Sequence, residues 1–103
     1  MKRYNKLVRD KIPDIIRQNG SDCSIRVLSL DEFCAALDQK LKEEMKEYEE
    51  SKSIEELCDV VEVIRAIVDA QGISWEAFED SRKTKYNERG AFDNRIMLID
   101  VWK

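Results

Sequence analysis

The sequence predicts a mainly α domain: an antiparallel helical bundle with a small two-stranded β accessory. Three observations point there. Apolar residues recur at i, i+3/i+4 over two long windows separated only by Ser51-Lys52-Ser53. Serine, asparagine and glycine fall at the ends of the helical windows, where caps and turns are needed. Two short apolar runs, at 24–28 and 95–102, lie outside those windows and read as strands. At 103 residues the chain reads as one domain, 1–103, with a thin core.

The first element is a short helix within 8–18. Pro13 is tolerated only in a first turn, which puts the start near Ile12. Asn19-Gly20 ends it. Ser24-Ile25-Arg26-Val27-Leu28 alternates and is β-branched, hence a short strand. Ser29 or Asp31 then caps a long helix over about 31–50, in which Phe33, Leu37, Leu41, Glu44, Met45 and Tyr48 share a face. Glu44 lies beside the apolar stripe, Glu47 one step toward its edge, and Glu43, Glu49 and Glu50 further out. Ser53 with Glu56 has capping-box spacing and opens a helix over about 54–71. Its stripe is Leu57, Val60, Val61, Ile64, Ile67 and Val68, bordered by Glu56 and Asp59. A link this short makes the two helices antiparallel neighbours. Gln71-Gly72 stops the second. Ser74 caps a last helix over about 75–87, with Trp75 and Phe78 inward. Residues 95–102 form the terminal strand, expected to pair with 24–28 and to need packing on helices or on a second subunit.

Composition narrows the function. The chain has no histidine, which excludes histidine acid–base catalysis. Cys23, Cys34 and Cys58 show no Cys-x-x-Cys spacing, so neither a zinc site nor a disulfide framework is expected, and free thiols suit a reducing cytoplasm. No apolar run reaches the length of a membrane span, and the N-terminus carries no secretory pattern. The net charge of −4 conceals a division: residues 1–20 carry net +4, 31–62 net −8 and 82–103 net +3. A binder of nucleic-acid polymers would show a continuous basic face instead. Phosphate-loop and dinucleotide-binding glycine patterns are both missing.

The acidic middle contains two clusters, Glu43-Glu44-Met45-Lys46-Glu47 and Glu56-Leu57-Cys58-Asp59. Each sets carboxylates three residues apart, on one helical face. Packed side by side, the helices would aim four carboxylates at one point. Such a group repels itself unless a cation sits within it, and a hard divalent ion such as Mg²⁺ suits oxygen ligands. Either cluster alone reads more readily as a solvated acidic face; it is the pair, on consecutive helices joined by a tight turn, that points to a metal. Lys6, Arg9 and Lys11 read as a phosphate clamp or as a solvated end. Arg82, Lys83, Lys85 and Arg89 read as phosphate ligands or as complements to a helix dipole. Trp75, Phe78 and Trp102 read as core.

The order Glu-Glu-x-x-Glu, spacer, Glu-x-x-Asp resembles the all-α nucleoside triphosphate pyrophosphatase superfamily, which includes MazG-like proteins, dimeric dUTPases and phosphoribosyl-ATP pyrophosphohydrolases. Tyr4-Asn5-Lys6-Leu7-Val8-Arg9-Asp10-Lys11-Ile12-Pro13 and Glu88-Arg89-Gly90-Ala91-Phe92 resemble the two ends of a small MazG-like subgroup. The resemblance implies four carboxylate metal ligands, which fall by motif position on Glu44, Glu47, Glu56 and Asp59, with Glu43 as a further participant. It implies hydrolysis of a nucleoside triphosphate to the monophosphate and pyrophosphate with Mg²⁺, for which Mn²⁺ can substitute. It also implies a homodimer or homotetramer. Only eight residues separate Glu47 from Glu56, fewer than in larger MazG proteins.

The expectation is therefore a Mg²⁺-dependent nucleotide pyrophosphohydrolase acting on non-canonical or phosphoribosyl-ATP-like nucleotides. Glu43 or Glu47 would take the proton from water, and Lys6, Arg9, Lys85 and Arg89 would meet the triphosphate. One rival is another phosphoester hydrolase on the same metals. The other is a non-enzymatic regulatory or assembly module whose acidic face binds a basic partner.

Overall fold

Ser29 starts the longest helix with a reciprocal cap. Its hydroxyl accepts from the Glu32 N–H at 3.3 Å, and the Glu32 carboxylate accepts from the Ser29 N–H at 3.2 Å. In a computed structural model describing residues 1–103, the elements are α1 (Ile12–Gln18), α2 (Leu30–Ser51), α3 (Ile54–Ala70) and α4 (Trp75–Arg89). The helix boundaries lie within two residues of those read from sequence. Pro13 sits in the first turn of α1, as its missing N–H requires. Ser53 and Ser74 cap α3 and α4 by accepting from the Glu56 and Ala77 N–H groups. The Ser53 cap runs one way only, because the return bond from Glu56 is not made.

Two residues, Lys52 and Ser53, connect α2 to α3 and fold them antiparallel. Lys52 takes the left-handed conformation at φ 58°, and its N–H donates to the Tyr48 carbonyl at 2.7 Å, closing α2. The α2–α3 pair is the body of the molecule. Leu37, Val63 and Val68 are its buried apolar side chains. α4 packs only on α3, where Trp75 stacks on Phe78 and the Arg65 guanidinium lies over the Trp75 ring at 4.5 Å. Trp75 and Phe78 are thus half-buried rather than deep core. α1 packs on no other helix, and the molecule extends 64 × 32 × 23 Å. No helix is long and apolar enough to cross a membrane.

The β accessory is not formed. Residues 24–28 and 95–102 form no ladder, Arg95 opens the second run in the left-handed region at φ 54°, and the chain has no strand. A lone two-stranded pair needs an apolar surface beneath it, and none is offered within one copy: Val27 is 91% exposed and Ile96 82%. The helix stripes also need correcting. Leu57 and Val61 are exposed, because α3 is apolar on more of its circumference than α2 and α4 together cover, and Met45 on α2 is exposed as well.

Candidate metal centre

The two-residue turn brings the acidic clusters of α2 and α3 together. Carboxylate oxygens of Glu43, Glu44 and Glu47 lie within 4.8 Å of one another, and so do those of Glu44, Glu56 and Asp59. Glu44 belongs to both groups. It is the one charged residue the fold buries, at 7% exposure, among the same positions that bury Leu37. Its place beside the α2 stripe is what carries it there.

Glu44 is poorly compensated. Oε1 lies 3.5 Å from Lys40 Nζ, whereas Oε2 is fully buried and has no hydrogen-bond partner. An orphaned buried acceptor is costly and calls for a ligand. Burial pushes the Glu44 carboxyl above its ordinary range, and contact with Glu47 and the nearby Asp59 add to the rise against Lys40. Glu56 is raised in the same direction, first by desolvation and then by Glu47 and Asp59.

The rim has the opposite character. Lys6 Nζ donates to Glu43 Oε1 at 3.1 Å, and Lys40 Nζ stands 3.5 Å from Glu43 Oε2. Burial acts against ionisation of Glu43, but the two lysines prevail and hold its carboxyl below the ordinary range. The same contact raises the Lys6 ammonium. Arg9 Nη2 donates to Asp59 Oδ1 at 2.6 Å. The segment before α1 therefore lies across the site, tied to α2 by Lys6 and to α3 by Arg9.

Five carboxylates (Glu43, Glu44, Glu47, Glu56, Asp59) thus meet three cations (Lys6, Arg9, Lys40). Two negative charges remain uncompensated, one divalent cation's worth. All the donors are oxygens, which suits Mg²⁺ or Mn²⁺. The residues present fit such an ion, and the buried orphan Oε2 of Glu44 is the specific reason.

The structure brings together Glu43, Glu44, Glu47, Glu56, Asp59, Lys6 and Arg9. Glu43, read as pointing outward, is half-buried and engaged by the two lysines. Lys85 and Arg89 are exposed on α4, and no ion pair joins either to the acids. Lys40 went unnoticed in the sequence. Its signal was available in the i, i+3 and i, i+4 spacing to Glu43 and Glu44.

No family model and no solved structure matches the chain. A 42-residue segment is 57% identical to an uncharacterized protein of Mycolicibacterium smegmatis (strain ATCC 700084 / mc(2)155), covering 41% of this chain and 43% of that protein. The match thus spans less than half the length of that relative, to which this chain is similar over the segment alone.

Proposed function

We propose that the protein is a Mg²⁺-dependent nucleoside triphosphate pyrophosphohydrolase. The observation that carries the reading is Glu44: a buried carboxylate with an unpartnered oxygen, shared by two carboxylate groups from antiparallel helices. The likeness of the acidic motif and both chain ends to MazG-like proteins supports the choice of reaction.

Glu44, Glu47, Glu56 and Asp59 hold Mg²⁺, with Mn²⁺ as substitute. A cation held there would supply the charge that neutralises phosphate oxygens and would lower the pKa of a water. Glu47, which no lysine or arginine engages, accepts a proton from the attacking water. Glu43, held ionised by Lys6 and Lys40, keeps those cations at the rim and is the weaker base. The water oxygen bonds to phosphorus, the phosphoanhydride bond breaks, and pyrophosphate leaves. Lys6 and Arg9 are exposed and their ion pairs are inexpensive to exchange, so they turn from the acids to the triphosphate. Lys85 and Arg89 are the further cations for that chain of phosphates. The substrate class is a non-canonical or phosphoribosyl-ATP-like nucleotide, and the compartment is the cytoplasm.

The extensive apolar surface outside the α2–α3 pair favours one second reading, an assembly module without activity. Product analysis separates the two. A panel of canonical and modified nucleoside triphosphates is incubated with and without Mg²⁺. Mg²⁺-dependent pyrophosphate release supports the proposal. Inorganic phosphate alone moves the chemistry to another phosphoester hydrolase, and no product from any member of the panel favours the assembly module.

A further inference from the structure

Beyond the metal centre, α3 carries a second group of charged side chains, and these surround a cavity. The cavity measures about 280 Å³ and lies where α3 ends and α4 begins. Ala66, Ile73 and Trp75 form apolar walls, and Glu62, Arg65 and Asp69 supply the charge. Small-molecule pockets run from about 300 to 1,000 Å³. A cavity just below that range has room for one ring system and part of a sugar, so a chain of phosphates would have to lie outside it.

Helical register ties the cavity to the metal centre. Asp59, Glu62, Ala66 and Asp69 stand at i, i+3, i+7 and i+10, on one face of α3. The lining therefore begins one turn beyond Asp59, itself one of the clustered carboxylates, and continues along the same face. Asp59 and Asp69 are about 15 Å apart along the axis, from the helical rise per residue. A nucleoside triphosphate laid out from its phosphates to the far edge of its base has that reach.

The charged groups around the cavity are free to meet a ligand. Arg65 follows Glu62 by three residues and precedes Asp69 by four, spacings at which ion pairs form on a helix. It pairs with neither carboxylate, and no other cation engages them. The Arg65 guanidinium instead lies over the Trp75 ring at 4.5 Å, and Phe78 stacks on that ring at 5.0 Å. A planar guanidinium backed by an aromatic ring offers its outer face for stacking by a base. Ionised carboxylates only accept, so Glu62 and Asp69 select ligand groups that donate.

Given the reaction proposed for the metal centre, on which this step rests, we infer that the cavity receives the sugar and base of the triphosphate and that the base is of guanine type. Glu62, one turn from Asp59, accepts from a sugar hydroxyl. Arg65 stacks on the base. Asp69, at the far end, accepts from the base edge with both carboxylate oxygens. Guanine and its modified forms present a ring N–H and an exocyclic amino group side by side, which matches two acceptors. Adenine and cytosine set their amino group beside a ring acceptor, and uracil and thymine flank one N–H with two carbonyls. Those edges turn a lone pair toward the carboxylate.

Trp75 reports on the cavity directly. The chain has one other tryptophan, Trp102, which is exposed and lies after α4. In a Trp102→Phe background, guanosine monophosphate in chelator is expected to shorten the Trp75 fluorescence lifetime saturably. Inosine monophosphate lacks only the exocyclic amino group and should bind about tenfold more weakly, the effect of one hydrogen bond to a charged acceptor. Asp69→Asn should close the gap between the two nucleotides. Arg65→Gln should abolish saturation, and Arg65→Lys should not restore it, because lysine keeps the charge and loses the plane. Arg65 and Asp69 are exposed, so the helical signal of each variant should match that of the unaltered protein. A saturable guanosine response without pyrophosphate release from any triphosphate would keep the cavity and count against the proposed reaction. Pyrophosphate release without a lifetime change would keep the reaction and overturn the cavity. Equal binding of the guanosine and inosine compounds, or rescue by Arg65→Lys, would overturn it as well.

Discussion

Arg9 and Asp59 meet at 2.6 Å although fifty positions separate them in sequence. The contact ties the segment preceding α1 to α3, directly over the carboxylates. Both side chains are about half exposed, so their pairing adds little to stability. Arg9→Gln is expected to change the unfolding free energy by less than about 1 kcal/mol. It should raise the KM for a triphosphate substrate several-fold, with little change in Mg²⁺ dependence. Urea unfolding and steady-state kinetics check the two parts, and an unchanged KM would return Arg9 to a purely structural role.

The buried acid makes stability depend on pH in a particular direction. The Glu44 carboxyl titrates higher in the folded protein than its ordinary value of 4.5. The folded state therefore binds more protons across that interval, and without a metal ion it loses stability as pH rises through it. Glu44→Gln removes the share of this dependence that Glu44 contributes, leaving that of Glu56. The free-energy advantage of the glutamine variant over the unaltered protein should be near zero at acid pH and grow toward neutrality, in chelator. The check is denaturant unfolding of the pair across the acid-to-neutral range. A flat difference would mean that Glu44 is adequately solvated or paired.

The helix caps offer a control that leaves the site alone. Ser29 makes a reciprocal cap with Glu32, whereas Ser53 accepts one bond from Glu56. Ser29→Ala should cost about 1 kcal/mol of stability, and Mg²⁺ binding should be untouched. Ser53→Ala should cost no more, but it also loosens the first turn of α3, which carries Glu56. Its Mg²⁺ affinity should fall where that of Ser29→Ala does not. Calorimetric titration of both variants decides this.

Lys85 and Arg89 stand on α4, which touches only α3. If they serve the triphosphate, Lys85→Gln with Arg89→Gln raises KM and weakens nucleotide binding while leaving stability and the Mg²⁺ response as they were. Equal KM values for the double variant and the unaltered protein would remove both residues from the site.

The helices were legible because each carried its own signals: Pro13, Ser29, Ser53, Ser74 and the apolar spacing between them. The carboxylate cluster was legible for a related reason. Helical spacing fixes Glu44 against Glu47 and Glu56 against Asp59, and a two-residue link leaves α2 and α3 no arrangement but side by side. What failed was everything that depends on a surface beyond the helix pair. The alternation at 24–28 and 95–102 is real, but a strand needs a partner and a floor, and one copy provides neither. Leu57 and Val61 have core composition without a core neighbour. Lys40 was missed because a lysine among glutamates looks solvated until the fold half-buries it beside Glu44.

The most direct measurement is the effect of Mg²⁺ on the thermal unfolding of the unaltered protein, Glu44→Gln and Glu56→Gln, each against a chelator control. A ligand held only by the folded state stabilises it by about 2.7 kcal/mol at a hundredfold excess over its Kd. The unaltered protein should rise by several degrees, with the rise abolished in Glu44→Gln and sharply reduced in Glu56→Gln. An equal response in all three proteins, or none in the unaltered protein, would contradict a metal centre built on Glu44.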